Sequence, residues 1–351
     1  MHKIDLVGDG IENPHNARAM IGAAMMFGAD CSLLDRKGIA TQVECSVATL
    51  EQVVSKHDMI IALDNQPGAK SVYGYRVPAE SRNVAVIAGN ERLGVSHSIV
   101  SSAHAMLCIP MVSRKVNCLN VASASAVVLY YLSNRFAAAM ATRSQPQKRR
   151  PEILLIAGRD HVELGSSIRS ACAFGWNRVF VEDRRNIWFG ADHGLKREAR
   201  AAARRAKNEI RVIPTSQHHQ YKFQEAVIVA CGKHQDRKGV HGAVPLHKAR
   251  LAEGPSQLIV LVDQSAFEIS MIGDFSRFAN KVQIAYLECG GSAHEHQFRL
   301  TASIAMAEIA RQVGQKTPWK PTPQEPLYES ALRSIADEQG EIFTLEDLQQ
   351  F

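Results

Sequence analysis

Several residues in this chain have types and spacings that could do chemistry, and most sit where an apolar run gives way to a loop. Ala88-Gly89-Asn90-Glu91 follows the run Val84-Ala85-Val86-Ile87, with Gly94 just beyond. Ile109-Pro110-Met111 ends a second run, Ala105-Met106-Leu107-Cys108, and Cys118-Leu119-Asn120 comes soon after. Upstream, Asn13-Pro14-His15-Asn16 separates Ile4-Asp5-Leu6-Val7 from an apolar stretch ending at Phe27-Gly28. Gly89 and Gly94, having no side chain, would allow close backbone approach to a bound molecule. Loops at the carboxyl ends of parallel strands are where open α/β sheets hold small ligands. The chemistry implied is binding of a small ligand at these loop junctions, with close backbone approach. Other chemistries find less support. His294-Glu295-His296 lacks a third metal ligand at defined spacing, and His218-His219 with His234, His241 and His247 read as surface-loop residues, so no metal is expected. Neither a Ser-His-Asp set nor a phosphate-cradling glycine loop is found.

The elements that must position these residues occur twice. Ile153-Leu154-Leu155-Ile156-Ala157 repeats the first strand, Asp160-His161-Val162-Glu163 repeats the turn, and a helix ending at Phe174-Gly175 repeats the helix, aligned without a gap. A second strand follows each, Cys31 to Asp35 and Val179 to Glu182. With altered spacing, 84–88 matches 258–262, 105–109 matches 282–286, and long apolar helices close the halves, Asn120 to about Ala139 and Phe298 to about Val313. Continuous apolar strands alternating with helices predict an α/β fold of two tandem domains, each with a parallel sheet covered on both faces. The boundaries expected are 1–142 for the ligand-binding domain, a polar, proline-bounded linker at 143–151, a second domain at 152–316, and an acidic tail at 317–351. The stretch Gly232 to Pro255 is expected to be a surface loop.

At 351 residues and 46% apolar content the chain can fill two cores. It has no leader-like start and no run long enough to cross a bilayer, and its seven scattered cysteines form no Cys-x-x-Cys pair, which points to a cytoplasmic protein without a membrane partner. The net charge of +6 is modest but clustered. Between Lys196 and Arg211, Lys196, Arg197, Arg200, Arg204, Arg205 and Lys207 are interleaved with alanines at helical spacing, so one helix face could track a phosphate backbone, and Lys196, Arg197, Arg200 and Arg204 are the candidate RNA-contacting residues.

The three loop segments of the first half, taken in order, resemble the SpoU (TrmH-like) branch of the SPOUT RNA methyltransferases. That resemblance implies S-adenosylmethionine as cofactor, RNA (tRNA or rRNA) as partner, ribose 2′-O-methylation as the activity, and a trefoil knot in at least the first domain. It assigns the cofactor to Ala88, Gly89, Asn90, Gly94, Ile109, Met111, Cys118, Leu119 and Asn120, with Cys118 where the family usually has serine. The family's first motif pairs an asparagine with a catalytic arginine six residues later. Here the first half has Asn16 but Gly22, whereas the second has Glu163 but Arg169. Arg18, four residues before position 22, is expected to be a poor substitute. In the second half Val262-Asp263-Gln264-Ser265 and Glu288-Cys289-Gly290-Gly291 replace the cofactor loops, so no cofactor is expected there. Family members resemble obligate dimers, which implies an intramolecular pseudo-dimer, monomeric as a chain, whose single composite site joins Asn16, Glu91 and Asn120 to Arg169 as catalytic residues. With the first strand starting at Lys3, no separate amino-terminal RNA-recognition domain is expected. Two alternatives stand beside this reading: a non-catalytic RNA-binding or cofactor-sensing pseudo-dimer, in which Arg169 is salt-bridged to Glu163 or another acid, and methylation of a base or protein side chain.

Overall fold

The computed structural model describes residues 2–66, 68–113, 115–133, 150–156, 160–215, 223–231, 243–249, 251, 256–263, 279–291 and 297–313. The linker at 143–149, the tail, Gln264-Ser265, His218-His219, His294-Glu295-His296 and most of 232–255 lie outside the described residues.

The first half runs β1 (Lys3–Asp9), α1 (Pro14–Phe27), β2 (Asp30–Leu34), α2 (Ile39–Gln42), β3 (Ser46–Val47), α3 (Leu50–Lys56), β4 (Met59–Leu63), β5 (Lys70–Ser71), β6 (Asn83–Ala88), α4 (His97–Ser102), β7 (Ala105–Cys108) and α5 (Val121–Ser133). The second runs β8 (Glu152–Ile156), α6 (His161–Ala173), β9 (Arg178–Val181), α7 (His193–Ala202), β10 (Arg211–Pro214), β11 (Phe223–Cys231), β12 (Val244–Pro245), β13 (Gln257–Asp263), β14 (Ala279–Tyr286) and α8 (Phe298–Val313). Each half builds a seven-stranded sheet, β3-β2-β1-β6-β4-β7-β5 and β10-β9-β8-β13-β11-β14-β12. All pairings are parallel, and the second order repeats the first strand for strand. Two domains of one topology are consistent with a tandem duplication. The central strands are buried on both faces, which is why they read as unbroken apolar runs rather than alternations.

Two central strands are missing from the sequence reading: β4, although Met59-Ile60-Ile61-Ala62-Leu63 is as apolar as its neighbours, and its counterpart β11. The expected surface loop at 232–255 also needs correction, because β12 joins the sheet edge beside β14 and Leu246 and Ala249 are buried. Short edge strands of two residues carry too little pattern to be seen in sequence. Helix α8 has the expected bounds, and α5 is described only to Ser133.

The halves share one apolar core, to which α1, α5, α6 and α8 all contribute. Hydrogen bonds cross between them in matched pairs: the Val112 amide donates to the Ala173 carbonyl at 3.0 Å, and the Gly291 amide to the Met26 carbonyl at 2.8 Å. Tyr131 Oη donates to the buried Glu308 carboxylate at 2.7 Å, and Tyr73 Oη to the Ala307 carbonyl at 3.4 Å. Arg311 and Gln312 satisfy the rest of Glu308, so the buried charge is paired rather than stranded. Among the described residues no helix is long and apolar enough to cross a membrane.

Candidate active site

The predicted residues converge because their loops leave the carboxyl ends of adjacent strands. Asn13 caps α1 by accepting from the His15 amide at 2.8 Å, and Pro14 opens the helix with its fixed φ, which places Asn16 in the first turn above β1. Asn16 Nδ2 donates to Glu91 Oε1 at 2.8 Å, and Asn120 Nδ2 donates to Asn16 Oδ1 at 2.9 Å. The Glu91 carboxylate also accepts from the amides of Glu12 (3.2 Å) and Asn13 (3.4 Å), so its charge sits at the amino end of α1, where the helix dipole favours an anion. Asn120 Oδ1 accepts from the Ala122 amide at 3.0 Å at the start of α5. Three side chains far apart in sequence thus form one hydrogen-bonded chain that fixes two helix starts and the loop after β6.

The sequence reading gives Gly89 the task of admitting a ligand; the structure gives it another. A Cβ at 89 would lie 2.2 Å from the Gly94 carbonyl carbon and 2.3 Å from the Val95 nitrogen, so the glycine lets the loop close on itself. Asn90 and Gly94 exchange both backbone hydrogen bonds, at 2.8 and 3.0 Å. Gly94 has φ +76°, a left-handed conformation that favours glycine. The Asn90 side chain ties the loop to the Gly10 carbonyl at 2.6 Å and accepts from the amides of Arg92 and Leu93.

Beside this loop lies a pocket of about 960 Å³ counted to its open mouth. Ala88, Gly89, Asn90, Gly94, Ile109, Met111, Cys118, Leu119 and Asn120 all line it, as do Asn16, Glu91 and Arg169. Sequence reasoning missed Asp64, Asn65 and Asn117, and placed Arg205 with the basic helical run rather than in this pocket. Asp64-Asn65 sits at the carboxyl end of the overlooked β4, and that position was the available signal. Burial pushes the Asp64 carboxyl up, against hydrogen bonds from the Asn65 amide and the Gln66 side chain. Asn65 Nδ2 donates to the Asn117 carbonyl at 3.2 Å, while its buried Oδ1 meets no donor.

Arg169 enters from α6 of the second half. Its Nε donates to the Cys118 carbonyl at 3.1 Å, and its Nη2 to the Leu119 carbonyl at 3.0 Å and to Cys118 Sγ at 2.9 Å. It makes no ion pair with Glu163; Nη1 meets no acceptor among the described residues. Arg18 donates to the Gln42 carbonyl at the exposed surface, outside the pocket lining. Gly22 faces the second half instead, where a Cβ would lie 3.8 Å from Gln297 Nε2. The exchange across the interface is therefore reciprocal, with α6 reaching the first half's loop and α1 the second's. In the second half Glu163 replaces the asparagine, and burial, then the nearby Asp263 and Asp160, push its carboxyl up to about 8.

Lys196, Arg197, Arg200 and Arg204 share one surface depression with His193 and Lys207. Only the first three lie on α7: the helix ends at Ala202, buried Ala203 and Ala206 bracket a tight turn, and Arg204 extends from that turn. Arg200 stacks over the Trp188 ring at 5.7 Å. Among the described residues no group of three or more metal-ligating side chains occurs.

Fold and site together define a two-domain parallel α/β protein with a small-molecule pocket at the strand ends of its first domain. Residues 3–130 match the SpoU rRNA Methylase family, so this segment is a SpoU-type methylase domain. Solved structures similar to the chain include a TrmH-family protein from Porphyromonas gingivalis (19% identity, 36% of this chain and 58% of that one, TM-score 0.30). Another is the SpoU methyltransferase AviRb from Streptomyces viridochromogenes in complex with AdoMet (17%, 36% and 56%, 0.31). A third is an AdoMet-bound rRNA methyltransferase from Sinorhizobium meliloti (11%, 87% and 98%, 0.35). The chain spans under two thirds of the length of the first two. Among curated proteins there is no match.

Proposed function

We propose that the chain is an S-adenosylmethionine-dependent RNA methyltransferase that methylates a ribose 2′-hydroxyl of tRNA or rRNA at one composite site. In this reading 1–142 and 152–316 are its domains, joined by 143–151 into an intramolecular pseudo-dimer, and the first domain's loops carry the family's knot. The observation that carries the proposal is Arg169: a cation from the second half is bonded to Cys118 and Leu119 in the pocket that also holds Asn16, Glu91 and Asn120.

The lining fits the cofactor. Apolar Leu63, Ala88, Ile109 and Met111 suit an adenosine, and the unmet Asn65 Oδ1 offers an acceptor to an amine or hydroxyl. Asp64 and Glu91 complement a ligand carrying positive charge. When bound, S-adenosylmethionine supplies an electrophilic methyl group on a sulfonium. The protein's part is then chiefly positioning of the acceptor oxygen. The Asn120–Asn16–Glu91 chain holds the polar wall rigid, and Arg169, using Nε and Nη2 to grip the loop, leaves Nη1 without an acceptor among the described residues. A guanidinium stays protonated and is a poor base, so in this reading its role is electrostatic stabilisation of the developing alkoxide.

The test is calorimetric titration of the full chain with S-adenosylmethionine, combined with mass-spectrometric mapping of RNA modifications lost in a strain lacking the protein. Arg169→Lys should keep cofactor affinity within a few fold yet lose about 10²-fold or more in methyl transfer. Arg169→Ala should lose both, because two carbonyls of the cofactor loop lose their donor. Unchanged methylation by Arg169→Ala would refute the composite site, and absence of cofactor binding by the unaltered chain would refute the enzyme reading.

A further inference from the structure

Resting on the function just proposed, we infer that Arg205 and Arg169 together form a two-guanidinium seat for one phosphodiester group of the RNA at the pocket mouth. Both side chains donate to the same atom, Cys118 Sγ: Arg169 through Nη2 at 2.9 Å and Arg205 through Nη1. A thiol is a weak acceptor, and two like charges held this close repel. Neither guanidinium meets a carboxylate among the described residues. The pocket's own acids are engaged elsewhere, Glu91 with Asn16 and Asp64 with Asn65 and Gln66. What completes such a pair is an oxyanion that Arg205 can grip and that Arg169 can reach with its remaining Nη1, as arginine does with phosphate.

Two sources could bring that oxyanion: an RNA phosphodiester or the carboxylate of the cofactor. Position selects the phosphodiester. Arg205 is exposed and sits on the turn that ends α7, next to Arg204. That turn splays the two neighbours apart, Arg204 into the depression with Lys196, Arg197, Arg200 and Lys207, Arg205 into the pocket lining. A polyanion lying along α7 therefore meets Arg205 at the point where it reaches the site. The first half has no equivalent of α7, since only the four-residue α2 stands between β2 and β3, so this cation is contributed by the second half alone.

Full-length Arg205→Ala, Arg205→Gln and Arg205→Lys proteins would be titrated separately with S-adenosylmethionine and with total tRNA over a range of salt. The expected result for Arg205→Ala and Arg205→Gln is cofactor affinity within twofold of the unaltered protein, with tRNA affinity reduced about tenfold at low salt. The slope of log affinity against log salt should become shallower by roughly 0.7–0.9, one phosphate contact. Arg205→Lys should recover the slope but only part of the affinity, since it keeps the charge and loses the fork. Unchanged tRNA affinity and slope would overturn the inference. So would a fall in cofactor affinity with tRNA binding intact, which would assign the seat to the cofactor's carboxylate. Failure of the unaltered protein to bind S-adenosylmethionine would instead sink the proposed function, and is read in a separate titration.

Discussion

Replacing Gly89 with alanine should disable the pocket by breaking the loop that forms its wall. The added Cβ would stand 2.2 Å from the Gly94 carbonyl carbon, 2.3 Å from its oxygen and 2.3 Å from the Val95 nitrogen. All three are backbone atoms, so no side chain can swing aside. The loop has to open, and the two Asn90–Gly94 hydrogen bonds at 2.8 and 3.0 Å are lost. At about 0.5–1.5 kcal/mol net per bond, the loss is about 1–3 kcal/mol. Expressed in ligand affinity that is roughly 5- to 150-fold, and displacement of Glu91 from Asn16 adds to it. Gly94→Ala provides the internal control: its Cβ would meet only Asp64 Oδ2, at 3.6 Å, so the cost is the left-handed backbone alone, about 1–2 kcal/mol. Calorimetric titration with S-adenosylmethionine and thermal unfolding should therefore rank the unaltered protein above Gly94→Ala and Gly94→Ala above Gly89→Ala. A Gly89→Ala protein that melts and binds like the unaltered chain, or better than Gly94→Ala, would refute this account of the loop.

Three other perturbations follow from the interface and the second half. The Glu163 carboxyl is pushed up to about 8 by burial and by Asp263 and Asp160, so its contribution to stability is full below about 4.5 and falls as pH rises through about 8. Glu163→Gln should accordingly narrow the gap in Tm between pH 5 and pH 8.5, and an unchanged gap would count against that burial. Tyr131→Phe removes the 2.7 Å bond to the fully buried Glu308 across the two halves. It should cost about 1–3 kcal/mol, a fall in Tm of about 2 °C or more, measured by calorimetry. Arg18→Ala, outside the pocket lining, should leave methyl transfer within twofold, and a large loss in a radiolabelled-methyl assay would reopen its claim to the catalytic role.

Much of the site was legible because its residues are short-range punctuation on buried strands. Asn16, Glu91 and Asn120 follow apolar runs, but their roles, like that of Arg169, come from the resemblance to the SpoU motifs, joined for Arg169 to the gapless match between the first two elements of each half. What the sequence did not disclose depends on three-dimensional placement. Asp64 and Asn65 follow a strand that was plain in composition but not counted, so their loop went unread. Arg205 looks like Arg204 in sequence, and only the turn bracketed by buried Ala203 and Ala206 sends one outward and the other into the pocket. Gly89 was right in place, and a further reason for it, closure of its own loop, could be read only from the structure. The edge strands at 70–71 and 244–245 are two residues long, set by sheet closure rather than by any local pattern.

The paired exchange of α1 and α6 has a consequence for how such a site can change. When two copies of one chain associate, each substitution is made twice, and a residue that serves one pocket is imposed on the other. Here the two positions are written separately, so Gly22 and Arg169 differ, as do Asn16 and Glu163. Each half has been released from matching its twin. The protein can hold one fully furnished pocket and put the other half's surface, including α7, to a different use.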